Sequence, residues 1–350
     1  MNNIQYLLAL HSIDGLGPIR LKSILDYFKD PKLAWEATTS ELIKIGIPRP
    51  TVDLLRATRE KLDPDAYVES IQKSGISWLT IFDDNYPALL KQIYDPPVVL
   101  YYKGDILPQD DKAIAVVGSR KMTGYGKAVT EKFTKGLAAV GLTIVSGLAR
   151  GVDSQAHRSA VEIGGRTIAV LGGGLNYIYP PENKSLAEKI ASGFGAVVSE
   201  FPPDYPSLPG NFPLRNRIIS GLSLAVLVTE AAEDSGSLIT ARLALEQGRD
   251  VFAIGGVNLI KDGARAVFEP KEILDELGIQ LRQGSAGQVN NIELADDEKK
   301  ILEVLENESL HIDEIGRILN MTAAKVSALL LKMEIKDVVQ NLGGGTYCKV

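Results

Sequence analysis

The stretch AIAVVGSRKMTGYG, residues 113–126, decides how the chain is read. Ala113–Val117 is a short apolar run with β-branched residues, the pattern of a strand buried on both faces. It runs directly into Gly118-Ser119-Arg120, and Thr123, Gly124, Tyr125 and Gly126 then head a helical pattern. The order repeats. Apolar runs follow at Leu142–Val145, Thr167–Leu171, Ala196–Val198, Leu224–Val228 and Val251–Ile254, and helical patterns lie at about 124–140, 152–163, 183–192 and 237–248. Strands alternating with helices predict an α/β fold, an extended Rossmann-like doubly wound parallel sheet. Such sheets bind ligands outside the carboxyl ends of their strands, at a topological switch point.

The strand ends are therefore the candidate site. At Gly118-Ser119-Arg120, glycine allows close backbone approach to an anion, and arginine can fork onto phosphate or stack on a base. The second strand ends in Ser146-Gly147-Leu148-Ala149-Arg150-Gly151, with Asp153 and His157 on one face of the following helix. That pair reads as an N-cap aspartate with a packed histidine in preference to a carboxylate-oriented base. The third leads to Gly172-Gly173-Gly174, Tyr177 and Tyr179, and then to Asn211-Phe212-Pro213-Leu214-Arg215-Asn216-Arg217. Guanidinium for phosphate, an aromatic face for a base and an amide for a base edge suit single-stranded nucleic acid. The strand ending at Thr229-Glu230 is followed by Ser235-Gly236-Ser237 at another helix start. A structural turn explains any one of these loops. Their repetition describes a long anion-binding edge.

Two flanking regions complete the chain. Residues 1–75 read as short helices in a helix-hairpin-helix pattern, with Ile13-Asp14-Gly15-Leu16-Gly17-Pro18 as the hairpin and a looser copy at Leu42–Pro48. Residues 76–285 form the Rossmann-like domain. After a polar linker at 283–288, residues 292–350 read as three helices and a hairpin, a winged helix. The formal net charge is -6, but it is uneven. Residues 113–220 carry 12 basic and 7 acidic side chains, whereas residues 292–350 carry 7 and 11. The basic segment fits a polyanion ligand. The acidic winged helix fits protein contact or regulation better than groove reading.

The single cysteine, Cys348, excludes a disulfide framework and a cysteine zinc site and fits a cytoplasmic protein. With three scattered histidines, no metal site is expected. No apolar run is long enough to span a membrane, and no signal peptide is read at the N-terminus. No Walker loop or dinucleotide fingerprint occurs, and no cofactor is expected.

Together these blocks resemble the DprA/Smf family of DNA-processing proteins. The resemblance rests on Tyr86–Leu90, Asp95-Pro96-Pro97, AVVGSRKMTGYG (115–126), IVSGLARGVDSQAHRSA (144–160), TIAVLGGGL (167–175), SEF (199–201), NFPLRNRIISGLS (211–223) and SGSLITARLALEQGRDVFAI (235–254). It implies a non-enzymatic protein that binds single-stranded DNA, forms a homodimer and loads the RecA recombinase during natural transformation. Carried onto matching positions, it implies DNA contacts at Gly118, Ser119, Arg120, Gly147, Arg150, Asn211, Phe212, Arg215, Asn216 and Arg217, with Ser235, Gly236 and Ser237 beside them. One stretch departs from the pattern. After Ile254 the family's Pro-Gly and longer loop are replaced by a direct run from Gly255 to Ala264, at an edge where dimer or recombinase contacts could lie. Two other readings stay open. One is a nucleotide-processing enzyme of the phosphoribohydrolase type, whose Pro-Gly-Gly-x-Gly-Thr block is absent here. The other is a regulator that reads duplex DNA through the winged helix.

Overall fold

The computed structural model describes residues 3–232, 235–254, 259–260, 263–279, 296–305, 309–335, 338–343 and 345–349. At its centre, Ala113–Gly118 is a strand whose alternate residues face opposite cores. Ala113, Ala115 and Val117 pack on one side. Ile114 and Val116 pack on the other. This double burial explains why the run is continuously apolar rather than alternating.

In chain order the large sheet contains β1 (Ser77–Thr80), β2 (Val99–Gly104), β3 (Ala113–Gly118), β4 (Thr143–Ser146), β5 (Thr167–Val170), β6 (Gly195–Ser199), β7 (Ala225–Glu230), β8 (Asp250–Ile254) and β9 (Arg265–Val267). The spatial order is β1-β2-β6-β5-β4-β3-β7-β8-β9. From β6 to β9 neighbours are parallel, with Ile114 opposite Ile144 and Val116 opposite Leu227. β2 joins β6 antiparallel, and β1 joins β2 the same way. The order reverses between β3 and β7. That is the switch point, and the loops after β3, β4, β5 and β7 all lie at the carboxyl edge.

The expected doubly wound α/β sheet is present, extended by two antiparallel strands and by β9. Helices Gly124–Ala139 and Val152–Glu162 cover one face through Phe133, Leu137, Val152 and Ala156. Helix Gly236–Glu246 contributes Ala241 and Ala244 to the opposite face, and helix Asn211–Gly221 adds Ile218 and Ile219 there.

The first 75 residues share that second face's core. Leu7, Leu21, Ile24 and Val52 belong to the same cluster as Val99, Tyr101 and Val198. The hairpin of residues 14–17 connects helices Ile4–His11 and Pro18–Phe28, and the looser copy connects Thr39–Lys44 with Arg49–Arg59. The first compact unit accordingly runs to residue 283 and the second covers 284–350.

In the second unit, helices Asp296–Val304, Ile312–Leu319 and Ala323–Ile335 pack Ile301, Ile315, Val326, Leu330 and Met333 together. Thr322 Oγ1 accepts the Lys325 N–H and caps the third of these helices. A three-stranded sheet closes the unit, with β10 (Leu310–His311), β11 (Val339–Gly343) and β12 (Thr346–Lys349) in the order β10-β12-β11. The shortened stretch at Gly255–Asn258 and the linker at 283–288 lie outside the described residues.

Candidate nucleic-acid interface

The loops after β3 and β4 are built as one piece. Ser119 donates its N–H to the Glu230 carbonyl, 2.7 Å, and its own carbonyl accepts from Val152 N–H, 3.1 Å. The loops therefore touch where the second helix begins. Leu148 sits at φ 55°, an uncommon backbone region for a branched residue. Asn183 holds that turn by donating to the Leu148 carbonyl at 2.8 Å.

Arg120 is exposed and lies over the Phe212 ring, 5.5 Å from its centroid. Among the described residues no carboxylate pairs with it. Tyr179 flanks Phe212 at 5.7 Å, and Phe212 rests against Gly172. A cation over an aromatic face, beside a second aromatic, offers both charge and a stacking surface.

Behind this pair is a buried charge. Arg215 is only 3% exposed, and its Nε has no hydrogen-bond partner. Its guanidinium fills the space beside Gly147, where any Cβ would overlap it. Asp153, also buried, accepts the Gly147 N–H at 3.2 Å. Burial pushes the Asp153 carboxyl up, and Arg215 opposes that rise. Burial brings Arg215 down to about 10, against the pull of Asp153, and the like charge of Arg120 adds to the fall. Asp153 thus lies within electrostatic reach of both guanidinium groups, beside the buried Gly147.

Other predicted residues take different roles. Arg150 is exposed but bonded to Glu182, 2.5 Å, which raises its pKa. Asn211 is buried and donates to the Pro206 carbonyl. Asn216 donates to the Gly236 carbonyl and ties Ser235–Ser237 to this edge. The Ser235 and Ser237 hydroxyls bond each other, 2.7 Å. Gly118 packs against Glu230 and Val152. His157 bonds Thr167 at 2.7 Å, the packed role rather than a catalytic one, and burial followed by Arg215 holds its pKa down to about 3.

Arg217 departs from its expected role as an open contact. It is 7% exposed and lies between Asp95, 3.0 Å from Nε, and Glu200, which its Nη2 also bonds. Two carboxylates neutralise it, so no charge is left over for a phosphate. Both acids stood in recognisable blocks, Asp95-Pro96-Pro97 and SEF, but their function as partners of Arg217 was not legible. Glu182 was missed in the same way, because an ion pair spanning 32 residues leaves no local signal.

Comparison with known proteins joins this geometry to a family. A family model described as DNA recombination-mediator protein A matches residues 77–278, and one described as DprA winged helix domain matches 288–345. The chain belongs to the DprA/Smf family. Protein Smf of Synechocystis is 36% identical over 98% of both chains. DNA processing protein DprA of Bacillus subtilis is 45% identical over 217 residues, covering 59% of this chain and 73% of that protein. Among DprA structures, that from Streptococcus pneumoniae aligns with TM-score 0.69 and 37% identity, over 79% of this chain and 99% of its own. A structure described as showing the single-stranded DNA binding mode of the Helicobacter pylori protein aligns with TM-score 0.52 and 32% identity, over 58% and 95%. Among the described residues no group of three metal-ligating side chains occurs, and no helix is long and apolar enough to cross a membrane.

Proposed function

We propose that the chain is a recombination mediator that binds single-stranded DNA along the carboxyl edge of the sheet. One observation carries this reading: exposed Arg120 lies on Phe212, with buried Arg215 behind Gly147. A phosphate meets the Arg120 guanidinium, and a base stacks on the aromatic pair. Glycine at 147 makes room for Arg215, whose charge lies behind that pair. Gly118 and Ser119 shape the Arg120 loop, while Asn211 and Asn216 anchor the Phe212 helix. Arg150 is reached once Glu182 is displaced, and Ser235–Ser237 extends the edge. Arg217 acts from the interior by holding that helix.

The protein acts without covalent chemistry or a cofactor, in the cytoplasm and as a homodimer. It protects incoming strands and passes them to the RecA recombinase. Titrating a labelled oligothymidine by fluorescence anisotropy tests the binding step. Arg120→Ala should weaken binding about tenfold or more, and affinity should fall steeply with salt. Equal affinities for variant and wild type would overturn the reading.

A further inference from the structure

In a doubly wound sheet, the opening between the two diverging strands is where a nucleotide phosphate meets a helix N-terminus. Here that opening lies between β3 and β7, and it already holds an anion. Glu230 ends β7, and its carboxylate accepts from Thr123 N–H at 3.1 Å and from Thr123 Oγ1 at 2.8 Å. Thr123 Oγ1 in turn accepts the Gly126 N–H, 3.0 Å, and so caps helix Gly124–Ala139. The Ser119 N–H goes to the main-chain carbonyl of the same Glu230. Gly126 faces the carboxylate directly, and a Cβ there would overlap it. Gly126 makes room for a side chain of the protein itself.

We infer that Glu230 is a specificity-determining residue that denies the switch point to inorganic phosphate and mononucleotides. It does so by standing where their phosphate would sit. A second anion would meet donors already engaged and a fixed negative charge at contact distance, where repulsion is strongest. The anion-binding surface is thereby confined to the Arg120 side of the loop, where a continuous strand can lie. Glu230 closes the switch point whether or not the Arg120 edge binds DNA.

The test uses the full chain and inorganic phosphate, with chloride of matched ionic strength as reference. Thermal unfolding is followed for wild type, Glu230→Ala and Glu230→Gln. Glu230→Ala should gain a saturable phosphate-dependent rise in melting temperature of about 3 °C over wild type at millimolar phosphate. Glu230→Gln, which removes charge but keeps bulk, should gain less. If Glu230→Ala does not fold, Glu230→Ser keeps an acceptor near Thr123 and carries the same measurement. The Arg120→Ala/Glu230→Ala double variant should keep the gain, because the new site lies at the switch point. A folded variant with no shift beyond that of wild type, or a gain that vanishes with Arg120, overturns the assignment. Loss of oligonucleotide binding in Arg120→Ala alone is a separate result, so failure of the DNA reading and failure of this one are told apart.

Discussion

The loop after β3 and the loop after β4 share a sequence style, glycine and small residues followed by one arginine, yet the protein furnishes them with opposite charge. Beneath the first it sets Glu230, whose carboxylate engages the helix start. Beneath the second it sets Arg215, whose guanidinium fills the space a side chain at Gly147 would need. Each glycine is required for the same steric reason, close approach of a charged group from a distant part of the chain. A glycine-rich loop therefore specifies that something approaches, while the sign of what approaches is set 68 or more residues away. The β3 loop is closed to anions on its inner side and presents Arg120 on its outer side. The β4 loop seats its buried Gly147 against a buried cation and presents Arg150, paired with Glu182, on its outer side.

The largest effect that would break this contrast concerns Arg217, two residues beyond Arg215 on the same helix. Arg217→Ala leaves Glu200 and Asp95 without their partner and should cost about 3–5 kcal/mol in urea unfolding. A small loss of stability, with a large loss of oligonucleotide affinity, would return Arg217 to the surface site. Next in size, Gly147→Ala should cost about 1–3 kcal/mol, since its Cβ must displace Arg215, and should weaken oligonucleotide binding as well. Wild-type unfolding curves for this variant would show that Arg215 is not seated there. Phe212→Ala should reduce binding by about 1–3 kcal/mol, the value of one base stacked on an aromatic face. Anisotropy at fixed salt measures it, and an undiminished affinity would leave Arg120 with charge alone.

The smallest effect is a pH dependence that reads the buried cation of the β4 side. His157 is held neutral down to about 3 by burial and then by Arg215. The unfolded chain takes up a proton near pH 6.5, so the stability that the neutral ring preserves is complete above that pH. It is lost as pH falls toward 3. Between pH 7.5 and 5.5 wild type should lose about 1 kcal/mol more than His157→Gln does, because His11, held down to about 4 by burial, contributes equally to both. Equal pH slopes for the two proteins would remove the argument from this residue.

The strands were legible because they are buried twice over. Ala113–Val117 and Thr167–Leu171 carry no polar residue beyond Thr167, and their bounds agree with β3 and β5 to within one residue. β1 and β2 were missed because the edge strand Ser77-Trp78-Leu79-Thr80 has polar ends and β2 finishes in Lys103-Gly104. The helix Asn211–Gly221 was read as a block of contact residues rather than as a helix. It buries Asn211, Arg215 and Arg217, so the apolar stripe that normally announces a helix is replaced by charges facing inward. The same inversion explains the site. Arg120 and Phe212 could be named from residue type, whereas Arg217 could not be assigned to the interior until Asp95 and Glu200 stood beside it.

The pairing of β2 with β6 also has a consequence in time. Gly104 and Gly195 are separated by about 90 residues, and β1, β2 and the N-terminal helices share a core with strands on the far side of that gap. At about 5–20 residues per second, a ribosome delivers β6 some 5–20 s after β2. For that interval the N-terminal helices and the β1–β2 pair have no β6 to pack beside, so the part of the chain made first completes its core only after β6 has emerged.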